Sequence, residues 1–269
     1  MTDGTPQVSV EFLGLPGAGK STVEGLLVRE LKRSMTVYDE NALTRKALLR
    51  HIRQRERGRL KVGAFIAGRL LLRNVYAVTK YEVGAFNRFN LEHSALTSLI
   101  MEAASNDSVP LSRKEKICKL WFKFTSAWQL AKESGPPRDM TIWSEGFAQR
   151  GLSAIGMCPP ERAFRLLDDY ARMLPAPSCV IHVTAPIETL TDRMTKRSRG
   201  VPEPLRSMSN AERSAYLSQL ETYVELLFSQ LDPGTQRVTL DNHDGAVSGI
   251  LGLAREVRER LHIQGQAES

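Results

Sequence analysis

Between Val8 and Leu31 the chain passes from a β-type segment through a glycine-rich turn into a helical pattern. Val8-Ser9-Val10-Glu11-Phe12-Leu13 is rich in β-branched and aromatic residues and reads as a strand. Gly14-Leu15-Pro16-Gly17-Ala18-Gly19-Lys20-Ser21 follows and fits G-x-x-x-x-G-K-[ST], the spacing of a phosphate-binding loop. Val23, Leu26, Leu27 and Leu31 then recur with helical period. Strand, loop and helix in that order are what the motif requires. Glycines let consecutive backbone N–H groups turn toward one anion without a Cβ in the way. The following helix adds its free N-terminal N–H groups and dipole. Gly14, Pro16, Gly17, Ala18, Gly19, Lys20, Ser21 and Thr22 are therefore the expected phosphate-binding residues. Lys20 reaches the β- and γ-phosphates, and the Ser21 hydroxyl is the expected ligand for Mg²⁺.

A chain of 269 residues suits one large α/β domain or one domain with an insertion, and 42% apolar residues supply a sizeable core. The net charge of +7 favours anionic partners, which nucleotide phosphates already satisfy; nucleic acid is not demanded. Cys118, Cys158 and Cys179 are widely spaced and form no C-x-x-C pair. They read as reduced thiols of a cytoplasmic protein rather than as a disulfide or zinc framework. The N-terminus lacks a signal pattern, and no apolar run approaches a membrane span.

Further strands are expected at Met35–Tyr38, Met140–Trp143, Cys179–Val183 and Val238–Asp241, with helices between them. Five short apolar strands alternating with helices predict an α/β fold, a parallel five-stranded sheet covered on both faces in a three-layer sandwich. Residues 41–135 interrupt the alternation with helical pattern alone, so a helical insertion is expected between the second and third strands. Its basic run from Arg45 to Arg73 reads either as a solvated helical face or as a docking surface for an anionic acceptor, a lipid headgroup or an acidic partner. Ser112-x-x-Glu115 and Ser209-x-x-Glu212 both read as capping boxes. Ile117, Leu120, Trp121, Phe124 and Trp128 form a stripe that reads as core. His182 reads as a packed or edge histidine.

The segments FLGLPGAGKST, IWSEGFAQR, VIHVTAPIETLTDRMTKRSRG and LDNHDG together resemble the P-loop nucleoside and nucleotide kinases, thymidylate-kinase-like proteins most of all. The resemblance spans residues 8–40 and 140–262; the insertion at 41–135 matches nothing in that family. It implies a single P-loop domain over residues 1–269, with a lid-like segment at 193–208. It also implies an ATP-dependent transfer of the γ-phosphate to a small-molecule acceptor: a nucleoside, a nucleotide or a sugar-like hydroxyl. Phosphoryl transfer needs cations beyond the loop lysine, and Arg193, Lys196, Arg197 and Arg199 stand where the family carries its arginine-rich lid. Asp39 and Glu40 end the second strand, and Glu145 ends the third. Asp39 is the favoured acceptor-side acid, and Glu145 the favoured metal-side acid. Ser144 stands where the family has an aspartate, so Glu145 is expected to meet Mg²⁺ through water. Arg150 and Glu40 are expected at the acceptor, and Asp241 near the nucleobase. The resemblance also admits a homodimer paired through helices.

A second reading is a regulatory or switch P-loop ATPase that moves the insertion against a protein or membrane partner. The membrane surface would then be engaged through residues 45–73. No N-K-x-D guanine signature occurs, which favours ATP over GTP.

Overall fold

The computed structural model describes residues 8–40, 42–44, 46–47, 75–134, 140–197, 200–202, 205–243 and 249–267. Five strands form one all-parallel sheet: β1 (Ser9–Leu13), β2 (Val37–Asp39), β3 (Met140–Trp143), β4 (Cys179–Thr184) and β5 (Gln236–Asp241). Their spatial order is β2-β3-β1-β4-β5. β1 is central, with Glu11 opposite Trp143 on one side and Val180 on the other. The inner strands are buried almost throughout, as a parallel sheet covered on both faces requires, whereas edge strand β5 has exposed positions.

One layer of helices holds α1 (Lys20–Leu31), which follows β1, and the last helix, Ile250–Ala267; the two pack together. Three more helices, α2 (Val75–Glu92), α3 (Ser94–Ser105) and α4 (Leu111–Ser134), belong to the insertion. The other layer contains α5 (Phe147–Ile155), α6 (Pro160–Met173), α7 (Ile187–Lys196) and α8 (Asn210–Ser229); the Ile250–Ala267 helix is α9. Among the described residues no helix is long and apolar enough to cross a membrane.

The aromatic stripe of α4 attaches the insertion to the body. Phe124 lies 4.7 Å from Phe147 and 5.4 Å from Trp143, centroid to centroid. Trp128 and Phe89 also meet Phe147, at 5.3 and 5.9 Å. Such edge-on and offset contacts add to the apolar area that these rings remove from water. Leu120 is the member of the stripe that stays exposed. Its position on the helix carries it past the shared face.

The capping box at Ser209 and Glu212 is present, with both reciprocal hydrogen bonds. The one expected at Ser112 is not. α4 starts at Leu111, and the Arg113 and Lys114 N–H groups donate to Pro110 O, so Ser112 sits inside the first turn. His182 is a packed residue: its ring lies 5.2 Å from Phe228, and burial pushes its pKa down to about 4, so it is neutral.

Candidate active site

The glycine-rich loop leaves the carboxyl end of the central strand and turns directly into α1. Gly17 and Gly19 both have φ of 89°, which side-chain-bearing residues rarely adopt. A Cβ on Gly17 would also lie 2.8 Å from Leu190 O on α7, so the loop is clamped from outside. Gly19 precedes α1 without a side-chain cap, leaving the Lys20 and Ser21 N–H groups for an anion, while the Thr22 N–H donates to Gly19 O. Lys20 Nζ curls back to donate to Gly14 O (2.6 Å) and Leu15 O (3.0 Å). Burial lowers its pKa to about 8; Glu145 works against that shift, and Arg197 adds to it.

The segment after β3 is placed by a residue that the sequence reading passed over. Glu11, in the middle of β1, is 2% exposed. Its carboxylate accepts the Ala148 N–H at 3.0 Å, at the start of α5. Gly146 leaves room for it, since a Cβ there would stand 2.1 Å from the Glu11 carboxyl carbon. Burial raises the Glu11 pKa to about 7, opposed by the α5 N–H groups and by Arg150. The Tyr170 hydroxyl donates to Phe147 O at 2.7 Å and fixes the same turn from α6. One residue further on, Gln149 Oε1 accepts the Gly14 N–H at 3.1 Å, tying α5 to the loop.

Carboxylates gather beside this junction. Glu145 faces the loop and lies 3.7 Å from Arg150, whose other neighbour is Glu40 at 4.0 Å. The Arg150 side chain is 11% exposed, and its guanidinium sits 4.7 Å above the Phe124 ring. That stacking couples the insertion to the site. Ser144 Oγ lies 2.7 Å from both carboxylate oxygens of Glu24 on α1 and donates to that carboxylate. Burial pushes the Glu24 and Glu40 carboxyls up; Ser144 counteracts this at Glu24 and Arg150 at Glu40, while neighbouring carboxylates reinforce it. Asp39 is close enough to act on both, yet its Oδ1 accepts the Ala42 N–H at 2.9 Å and caps its own backbone.

A cleft of about 470 Å³ opens over the loop. Lys20, Ser21 and Thr22 form its floor, with Glu145 beside them; Arg193 and Arg197 of the 187–197 segment form one wall, and Arg113 and Lys116 of α4 another. Arg193 Nη2 also donates to Asn242 O (2.8 Å) and His243 O (3.0 Å). Asn242, 4% exposed, passes the contact on: its Nδ2 donates to Ala18 O at 2.7 Å. A chain of hydrogen bonds thus runs from α7 through the end of β5 to the glycine-rich loop.

The fold is α/β, one five-stranded all-parallel sheet with the glycine-rich loop at the carboxyl end of its central strand. No protein-family model and no curated protein matches this chain. Solved structures do. Deoxyadenosine kinase from M. mycoides with bound dATP is 12% identical, covering 95% of this chain and 100% of its own, with a TM-score of 0.45. Thymidylate kinase from Candida albicans is 14% identical over 96% of this chain and 92% of its own, at 0.42. Shikimate kinase from Acinetobacter baumannii in complex with shikimate is 13% identical over 97% and 96%, at 0.34. All three of these proteins are named as kinases.

Of the residues singled out beforehand, Pro16, Gly17, Gly19, Lys20, Ser21, Thr22, Glu145, Arg193 and Arg197 line the cleft together. Gly14 and Ala18 are turned to the scaffold, through Gln149 and Asn242. Arg150 lies between Glu145 and Glu40. Asp39 and Asp241 are not among the cleft-lining residues, and Asp241, which is exposed, accepts the His243 N–H at 3.0 Å. Lys196 pairs with Asp192 on the surface instead of facing the loop. Arg199 lies outside the described residues, as does the basic run apart from Lys46 and Ala47. Sequence reasoning missed Glu11, Glu24, Asn242, Gln149, Arg113 and Lys116. Only Glu11 carried a signal, as a charge in the middle of an apolar strand.

Proposed function

We propose that this protein is an ATP-dependent phosphotransferase acting on a small-molecule acceptor. The observation that carries the reading is the cleft itself. Lys20 and an open helix N-terminus face Arg193 and Arg197 across it, with Glu145 between. Cations on both sides of a triphosphate match the charge that a loose phosphoryl-transfer transition state spreads over its oxygens. The acceptor hydroxyl would form a new bond to the γ-phosphorus while the bond to the β,γ-bridging oxygen breaks. ADP leaves, and the hydroxyl proton passes to Glu145, the one carboxylate among the described residues lining the cleft.

The donor set at the loop, one hydroxyl with one carboxylate close by, fits a hard cation that arrives on a triphosphate. Ser21 would hold Mg²⁺ there, with Glu145 meeting its water shell. Bound, the ion neutralises charge on the β- and γ-phosphates. The segment 193–208 acts as the lid in this scheme, with Arg197, at the exposed end of α7, brought in late. The test is direct. Mg²⁺–ATP should raise the melting temperature, and ADP release should be stimulated by one pool among nucleosides, nucleotides and sugars. Lys20→Ala should remove most of that turnover while leaving the fold intact. Slow turnover indifferent to every pool would favour the regulatory ATPase, and no thermal shift would refute nucleotide binding.

A further inference from the structure

Resting on the phosphotransferase reading, we infer that the acceptor carries an anionic group, a phosphate monoester or a carboxylate, seated by Arg113 and Lys116. A second cavity of about 150 Å³ lies between α4 and α5. It shares Arg113, Lys116, Glu145 and Ser153 with the main cleft and is closed by Arg150 and Trp121. Its lining holds three cations against one carboxylate.

The cations differ in how they are balanced. Arg150 has Glu145 and Glu40 on either side and the Phe124 ring beneath it. Arg113 has none of this. Its Nη2 donates to Ser153 O at 3.3 Å, its Nε is buried without a hydrogen-bond partner, and no carboxylate among the described residues pairs with it. A half-buried guanidinium loses hydration that a backbone carbonyl only partly replaces, and an anion completes it best. Its planar fork matches the paired oxygens of a phosphate or carboxylate. Lys116 follows Arg113 by one helical turn on the same face and adds a second charge to the same cavity.

The placement also suits the reaction. Glu145 lines both cavities, so an acceptor whose anion rests on Arg113 and Lys116 can present a hydroxyl at Glu145. The nucleotide's own phosphates have Lys20, Arg193 and Arg197 on the far side. A neutral acceptor would leave the buried Arg113 Nε without an anion among the described residues. Because α4 belongs to the insertion, that segment is where acceptor choice resides.

Matched acceptor pairs provide the test: thymidine with its 5′-monophosphate, glucose with glucose 6-phosphate, and cyclohexanol with a hydroxycyclohexane carboxylate. ADP release with Mg²⁺–ATP should be stimulated by an anionic member and at least tenfold less by its neutral partner. Whether a phosphate or the carboxylate works best separates the two sources of charge. Arg113→Ala should raise the acceptor KM at least tenfold with the ATP Kd changed less than twofold, and Arg113→Lys should recover part of the loss. Equal or better use of the neutral members would overturn the inference, and so would an unchanged acceptor KM in Arg113→Ala. If no pair stimulates turnover, inorganic phosphate decides. With the loop filled by Mg²⁺ and a non-hydrolysable ATP analogue, phosphate should raise the melting temperature of the natural protein and not that of Arg113→Ala; no difference refutes the site. Failure of ATP itself to bind would instead refute the phosphotransferase reading.

Discussion

Replacing Glu11 with glutamine should make this protein more stable at pH 8 relative to the natural chain than it does at pH 5. The buried carboxyl has a pKa near 7 in the folded state against 4.5 when free. Between those values the folded protein holds a proton that the unfolded chain has released. Stability therefore falls as pH rises through this window and levels off above it. At 1.36 kcal/mol per pKa unit, the whole effect is about 3 kcal/mol. Glutamine keeps the acceptor oxygen for the Ala148 N–H and has nothing to ionise. Its amide needs a partner of its own, but that penalty does not vary with pH. Urea denaturation of both proteins at half-unit steps from pH 5 to 8 isolates the term as a difference, provided the m-values agree. The variant should gain up to about 3 kcal/mol on the natural protein across the range. A difference constant to within about 0.5 kcal/mol would mean that the carboxyl does not ionise in that window, and the account of how α5 is held would fail.

The pKa of Lys20, lowered to about 8, makes a prediction about ligand binding. A triphosphate favours the ammonium form, so affinity should be flat below pH 8 and fall by up to tenfold per unit above it, read by calorimetry; a flat profile throughout would remove Lys20 from the phosphate contacts. Arg197→Ala should lower kcat by roughly 10²-fold while changing the ATP Kd less than threefold. Loss confined to Kd would argue against a role late in the reaction. Asn242→Ala removes the donor that holds Ala18 O. It should cost about 1–2 kcal/mol in stability and weaken ATP binding severalfold, measured by melting with and without Mg²⁺–ATP. An unchanged melting curve in both conditions would show that the hydrogen-bonded route from Arg193 to the loop carries no load.

The glycine-rich turn between β1 and α1 was readable from the chain because everything that makes it lies within two dozen consecutive residues. The β-branched strand, the glycines at positive φ and the uncapped helix start are local chemistry. The inner strands were readable for a related reason: a parallel sheet buried on both faces needs largely apolar runs, and those of β1, β3 and β4 are visible one by one. Even so, strand ends alone did not tell the acid that lines the cleft from those that cap their own backbones. Asp39, Asp241 and Glu145 all close a strand or follow it directly. Asp39 and Asp241 turn back on their own backbones, while Glu145 meets the cleft. That difference is set at long range, by Phe147 seated among the α4 aromatics and by Glu11 holding the first turn of α5. Arg113 and Lys116 stand more than 90 positions from Lys20 in the chain and yet share a cavity with it. Which side chains meet a ligand depends on how distant helices pack, and packing is a property of pairs of segments that no single stretch of chain contains.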